Sequence, residues 1–331
     1  MKKIINQPEN IVSEMLDGIV KAHPKAVKRV EGFEVLVRAN APVTGKVALV
    51  SGGGSGHEPS HGGFVGKGML DGAVAGAVFT SPTPDQVFEA VKAVDGGKGV
   101  LLVIKNYTGD VLNFEMAAEL AEMEGITVKY VVVNDDVAVE DSLYTTGRRG
   151  IAGTIFVHKI AGALAVQGAD LDQVQAVAQK VIANVRSMGV ALTACTVPAA
   201  GKPGFELAET EIEMGLGIHG EPGTHRAEIK PADELVDDLL AKILEDIDYS
   251  DSEVAVLVNG LGGTPLMELY LMNRRLHEAL EAKGIKVYKT MVGSYMTSIE
   301  MAGASISLLK LDDEMKALLD APAETPAFTQ V

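Results

Sequence analysis

Three clusters in this chain set hydrogen-bonding or reactive side chains directly beside glycine. The first is Ser51-Gly52-Gly53-Gly54-Ser55-Gly56-His57. Its glycines allow a ligand close to the backbone without Cβ obstruction. It lacks the Gly-Lys-Ser/Thr ending of a phosphate loop, and His57 stands where a dinucleotide fingerprint wants its third glycine. The second is Lys105-Asn106-Tyr107-Thr108-Gly109-Asp110. A cation and a carboxylate across one short turn can hydrogen-bond a polyhydroxy ligand from two sides, or Asp110 can simply cap the helix that starts near Val111. The third is Gly215-Leu216-Gly217-Ile218-His219-Gly220-Glu221-Pro222-Gly223. A neutral imidazole with a pKa near ~6.5 is a base or a nucleophile at neutral pH, and four neighbouring glycines give it room for a small ligand. A plain turn histidine is the competing reading.

The other reactive side chains are weaker candidates. His23 precedes Pro24 and reads as solvated. His61 is four residues beyond His57 without a carboxylate or third ligand in register, which argues against a metal pair. His158 and His277 fall in predicted helices, and His225 reads as a surface residue near the Pro-Gly turn. Cys195 lies in an apolar stretch read as a strand, so an inert thiol is expected. Asp135-Asp136 follows a strand end and suits either Mg²⁺ or solvent. Tyr144 to Gly150, with Arg148 and Arg149, is an anion or partner site, or a polar loop.

The elements that must hold these clusters alternate between strand and helix. Val47–Val50, Gly99–Lys105 and Thr127–Val133 are continuous apolar runs, as expected for parallel strands covered on both faces. The first runs into the glycine loop, which is expected to open a helix. Thr83-Pro84-Asp85-Gln86 starts a helix with a capping box, and Asp170 caps another that is expected to stop at Gly189. A second set follows. Val190–Val197, Val254–Val258, Val287–Val292 and Ser305–Leu311 read as strands, and a helix starts at Thr264-Pro265. The tail from Ala321 to Val331 reads as an extended arm. The expected architecture is two α/β domains, residues 1–188 and 189–331, each with a central sheet flanked by helices. A chain of 331 residues exceeds what one core usually supports.

Composition excludes other classes. Hydrophobic residues are 47% and charged residues 22%, which excludes global disorder. The formal charge of −16, with no basic stripe, argues against nucleic acid and anionic membrane surfaces. No run approaches ~18 apolar residues, and the start, Met1-Lys2-Lys3, lacks the apolar segment of a signal peptide. The single cysteine excludes an internal disulfide and suits a cytoplasmic protein.

Six motifs in order, SGGGSGHEP (51–59), FTSPTPDQ (79–86), IKNYTGD (104–110), DSLYTTGRRG (141–150), CTVPAAGKP (195–203) and GIHGEPG (217–223), resemble the dihydroxyacetone-binding subunit of dihydroxyacetone kinases. The likeness runs from MKKIIN at the start to LLDAP at 318–322. Thr224-His225-Arg226 departs from it without touching a catalytic position.

The resemblance implies a cytoplasmic homodimer of two-domain α/β protomers. It implies that His219 adds to the ketone of dihydroxyacetone as a hemiaminal, and that Gly54, Ser55, Gly56, His57, Lys105 and Asp110 contact the hydroxyls. His57, with Asp110, would accept the proton of the hydroxyl that is phosphorylated. It implies no metal or cofactor on this chain. ADP or ATP with Mg²⁺ would sit on a partner nucleotide subunit, recharged by a phosphocarrier of the phosphotransferase system in glycerol metabolism. The chain shows no nucleotide motif of its own, which fits an external donor. Two other readings stay open: a non-catalytic dihydroxyacetone sensor that coactivates a transcription factor, and a generic sugar-binding α/β protein.

Overall fold

The computed structural model describes residues 2–140, 145–221 and 223–331. The first sheet collects β1 (Val27–Arg29), β2 (Val35–Arg38), β3 (Ala48–Ser55), β4 (Gly72–Val78), β5 (Val100–Lys105) and β6 (Val128–Val133), in the order β1-β2-β4-β3-β5-β6. β3 lies between β4 and β5 and is parallel to both. The second sheet collects β7 (Val185–Ala191), β8 (Glu211–Met214), β9 (His225–Glu228), β10 (Glu253–Gly260), β11 (Lys286–Gly293) and β12 (Gly303–Leu311), in the order β11-β10-β12-β7-β8-β9. There only β10 and β11 are parallel. A short hairpin, β13 (Ala323–Glu324) with β14 (Thr329–Gln330), ends the chain.

Helices fill the spaces between and outside the sheets. They are α1 (Ile11–Ala22), α2 (Pro84–Val94), α3 (Thr108–Met123), α4 (Thr154–Val166), α5 (Leu171–Asn184), α6 (Ala232–Asp246), α7 (Leu266–Ala282) and α8 (Asp313–Asp320). Side chains alternate faces along a strand, and the cores follow that period. Val100, Leu102 and Ile104 pack with α2 and α3, while Leu101 and Val103 face α4 and α5. In β10, Val254, Val256 and Val258 face α6 and α7, and Ala255 and Leu257 join the same core as α4 and α5. The α4–α5 layer is therefore packed between the two sheets. Its packing on both sides explains why α4 is buried around almost its whole circumference, even at His158 and Lys159.

Several sequence expectations change. The glycines after Val50 do not open a helix. They continue β3 to Ser55, paired with β4 through a register shift between Gly54 and Ser55, and a single 3₁₀ turn at Gly62–Phe64 follows. The helix capped by Asp170 ends at Asn184, and Gly189 lies inside β7, where pairing with β12 takes over. β7 stops at Ala191, so Cys195 sits in irregular but buried chain, its thiol pushed up by burial. The C-terminal arm is docked: the amides of Glu324 and Ala327 donate to the carbonyls of Lys67 and Gly63, at 2.9 and 2.8 Å.

Asp135 and Asp136 are buried, and among the described residues no cluster of three or more metal-ligating side chains gathers them. Asp135 accepts from the amides of Ile151 and Gly153, both at 2.8 Å, and so shapes the turn into α4. Asp136 binds Arg149. The backbone continues this link, with Ser187 N donating to Asp135 O and Val137 N to Ser187 O. This short stretch joins the edge of the first sheet to β7. Asp135→Ala leaves two buried amides without acceptors, at about 1–3 kcal/mol each. We expect a loss on the order of 2–6 kcal/mol, read as a lower urea midpoint at unchanged slope. Asp135→Asn, which keeps one acceptor oxygen, should lose less.

Candidate functional site

β3 makes room for the site by carrying no side chains where it matters. A Cβ on Gly53 would lie 2.5 Å from Lys105 Nζ and 3.3 Å from Asp110 Oδ2. One on Gly54 would meet the Thr80 amide at 2.5 Å, and one on Gly56 the Phe79 ring at 2.7 Å. Gly53 and Gly56 also have φ of 150° and 108°, which L side chains rarely adopt. Lys105, the last residue of β5, is buried, donates to Gly52 O at 3.3 Å and lies 3.7 Å from Asp110. Burial lowers its pKa, and Asp110 opposes that shift. Asp110 sits in the first turn of α3 but does not cap it; Tyr107 occupies that position and makes no side-chain cap bond.

His57 is fully buried and stacks on Phe79 with ring centroids 5.2 Å apart. Its Nδ1 lies 2.7 Å from the carbonyl of Thr297. A carbonyl only accepts, so Nδ1 carries the proton and Nε2 presents a lone pair. Nε2 is buried and has no hydrogen-bond partner. Burial first, then the charges of His219 and Lys105, hold this imidazole well below its usual pKa, although the Thr297 carbonyl works the other way. His57 is thus a neutral acceptor.

His219 comes from the second half of the chain and meets His57 edge-on, at 4.8 Å between centroids. Tyr107 and Phe79 also contact its ring, at 4.4 and 5.3 Å. Nδ1 of His219 lies 3.0 Å from Glu221 Oε1, and its backbone amide donates to Glu221 Oε2 at 3.0 Å. Glu221 is buried; burial opposes its charge, but His219 and Arg149 bring its carboxyl down to about 2.

The structure therefore brings together Gly54, Gly56, His57, Lys105, Asp110 and His219 around the end of β3. Ser55 is adjacent, but its hydroxyl donates to Gly76 O at 2.7 Å, away from Lys105. Phe79, Tyr107, Glu221 and Thr297 also build the site. The first three lie inside sequence motifs without standing out there, and Thr297 has no sequence signal at all.

The remaining candidates lie elsewhere. His61 pairs with His158, Nδ1 to Nε2 at 3.0 Å, beneath the site. His277 meets Thr290, and His23 and His225 are exposed. Arg148 pairs with Asp246. Residues 141–144, including Tyr144, lie outside the described residues, as does Pro222. Among the described residues no group of three or more His, Cys, Asp or Glu is placed to hold a metal, and no helix is long and apolar enough to cross a membrane.

Residues 17–327 match the Dak1 domain. Over 330 residues the chain is 56% identical to the dihydroxyacetone-binding subunit DhaK of PTS-dependent dihydroxyacetone kinase 1 from Listeria innocua, covering 99% of this chain and 100% of that one. It is 49% identical to the corresponding subunit of the PEP-dependent kinase of Escherichia coli, covering 99% of each. Among solved structures, the dihydroxyacetone kinase of C. freundii superposes with a TM-score of 0.92 at 37% identity, over 99% of this chain and 60% of that one. A dihydroxyacetone kinase operon co-activator superposes with a TM-score of 0.90 at 36% identity, over 96% and 98%.

The buried histidines set a pH dependence. His158 is brought down to about 3 by burial and then by the charge of Lys105, and His57 and His61 are also well below 6.5. Between pH ~6.5 and about 3 the unfolded chain binds a proton that folded His158 refuses. Stability is therefore present above pH ~6.5 and falls as pH drops, by up to about 1.4 kcal/mol per pH unit for this group. Urea denaturation between pH 7 and 5 should show a shallower pH slope for His158→Gln than for the parent chain. Equal slopes would refute the assignment.

Proposed function

The chain belongs to the Dak1 domain family, and from that premise we propose that it is the dihydroxyacetone-binding subunit of a phosphotransferase-dependent dihydroxyacetone kinase. Its relatives over the full length are named as subunits of such kinases, which transfer phosphoryl groups. The observation that carries the reading is the convergence of His219, His57, Lys105 and Asp110, from both sheets, on the glycine-rich end of β3.

In this reading Nε2 of His219 adds to the ketone carbon and forms a hemiaminal. That step rejects glycerol by reaction type, because an alcohol carbon offers nothing to attack. Lys105 and Asp110 hold hydroxyls, and Asp110 shares with His57 the uptake of the hydroxyl proton. His57 keeps its Nε2 lone pair free for the hydroxyl proton as that oxygen attacks phosphorus. Phosphoryl transfer passes through a loose transition state, so positioning counts for more than base strength. The phosphoryl group comes from a separate ADP-containing subunit with Mg²⁺, recharged by a phosphocarrier. The protein would work as a cytoplasmic homodimer and hold no cofactor itself. The structural likeness to a co-activator supports one alternative, a dihydroxyacetone sensor with the same site.

Reconstitution separates the two. With phosphoenolpyruvate, phosphocarrier and nucleotide subunit present, the chain should yield dihydroxyacetone phosphate; with ATP alone it should yield none. Absence of turnover in the full mixture, with ketone still bound, favours the sensor. His57→Ala and Asp110→Asn should lower kcat by about 10²–10⁴ while binding weakens far less. Near-normal kcat in both variants would remove them from the mechanism.

A further inference from the structure

Two motifs have no role in the chemistry described so far: Asp136, just beyond β6, and Arg149, at the end of the Thr-Thr-Gly-Arg-Arg-Gly segment. Both lead to the underside of His219. Arg149 is fully buried. Its Nε donates to Asp136 Oδ2 at 2.8 Å and its Nη2 to Gly215 O at 2.7 Å. Its third nitrogen, Nη1, points at Gly217, where a Cβ would collide with it at 2.7 Å; Glu221 Oε2 crowds the same point. Gly217 thus lets a guanidinium and a carboxylate close on one spot beneath the histidine loop. Nη1 has no hydrogen-bond partner of its own.

Glu221 in turn holds His219 at two points, the ring Nδ1 and the backbone amide. A carboxylate that accepts from Nδ1–H leaves the lone pair on Nε2. It also fixes the ring plane, because the same side chain ties the backbone. When Nε2 bonds to a ketone carbon, the carbonyl π pair moves to oxygen and takes up a solvent proton. The ring, now substituted on Nε2 and still carrying Nδ1–H, becomes a cation. The nearest anion is the Glu221 carboxylate at 3.0 Å.

We propose that Glu221 is the positioning residue of the site: it fixes His219 as the Nδ1–H tautomer and balances the charge that the ring gains on addition, with the Arg149 guanidinium, itself held by Asp136 and Gly215 O, facing the same point beneath the loop. The charge-balancing part rests on the reading of His219 as the nucleophile; the tautomer part does not.

The test uses ¹⁵N-histidine-labelled protein and dihydroxyacetone labelled with ¹³C at the ketone. In the free protein, ring-nitrogen correlations should show His219 protonated on Nδ1 and bare at Nε2. With ligand, the labelled carbon should move from the carbonyl to the tetrahedral region. In Glu221→Gln the single tautomer should give way to a mixture, and ketone binding should weaken about ten- to a hundred-fold, the range for a lost bond to a charged group. Glu221→Asp should recover part of both. A free protein with the proton on Nε2, or a folded Glu221→Gln that binds ketone as tightly as the parent, would overturn the proposal. The parent protein's tautomer decides the point even where a variant does not fold. A parent protein that binds without a tetrahedral carbon would overturn the nucleophile reading and the charge-balancing role, while the tautomer result still decides the positioning role.

Discussion

The site depends on one seam, between residues 56–60 and 295–299. Ile299 N donates to Gly56 O at 2.7 Å and Thr297 N to His57 O at 3.2 Å. The Thr297 hydroxyl donates to Glu58 O at 2.8 Å, and the Ser60 hydroxyl to Tyr295 O at 2.8 Å. Asn259, near the end of β10, clamps the other side by accepting from the amides of Tyr295 and Met296. These bonds join the strand-end loop of one sheet to that of the other across some 240 residues of sequence. The Thr297 carbonyl within the seam also dictates which nitrogen of His57 is bare. A shift of register here would leave two half-sites and lose the tautomer in the same step.

The seam explains which parts of the site are legible in the sequence. Glycine-bracketed His57 and His219, and the Lys105–Asp110 turn, announce themselves because small residues, polar side chains and strand ends coincide. The strands themselves are legible as continuous apolar runs. The helical nature of the loop after Val50 is misread, because a Gly-rich segment after a strand commonly turns into a helix, whereas here close approach from β4, Lys105 and Phe79 keeps it extended. The extent of β7 is misread because Gly189 looks like a helix stop, yet it pairs with Ser305 of β12. Thr297 is invisible, since what it does for the His57 tautomer is done by a backbone carbonyl that any residue could supply. Asp135 and Asp136 look like solvated or metal-binding carboxylates because their partners, the 149–153 turn and β7, are distant in sequence.

The site and its support gather charge where water is excluded. Lys105, Asp110, Arg149, Asp136 and Glu221 are all buried, and each faces an opposite charge or a backbone dipole. Removing one partner from such a pair strands the other, which is far more costly than the pair itself is stabilising. The exceptions to full pairing are informative. Besides His61 Nε2, His158 Nδ1, Thr145 Oγ1 and Asn273 Oδ1, the buried side-chain atoms without a partner among the described residues are His57 Nε2, Tyr107 Oη and Arg149 Nη1, and the rings of His57 and Tyr107 both touch His219. Natural proteins leave few such groups, and the two that meet at His219 mark a place where hydrogen-bonding capacity is held back from the fold.

Rigidity then serves discrimination. A small triose offers too few atoms for binding energy alone to separate a ketone from an alcohol. A bond-forming histidine separates them, but only if its lone pair is aimed and its ring cannot turn away. The packing around His219 meets both needs with different parts. Tyr107 and Phe79 limit ring rotation from two sides, Glu221 fixes the protonated nitrogen, and the glycines on either side leave the approach open. The same glycines lower local stability, since each gives up more chain entropy on folding than any other residue. The sheets, the shared α4–α5 layer and the seam compensate for that cost at a distance, which is why a site built largely from glycine can still hold its geometry.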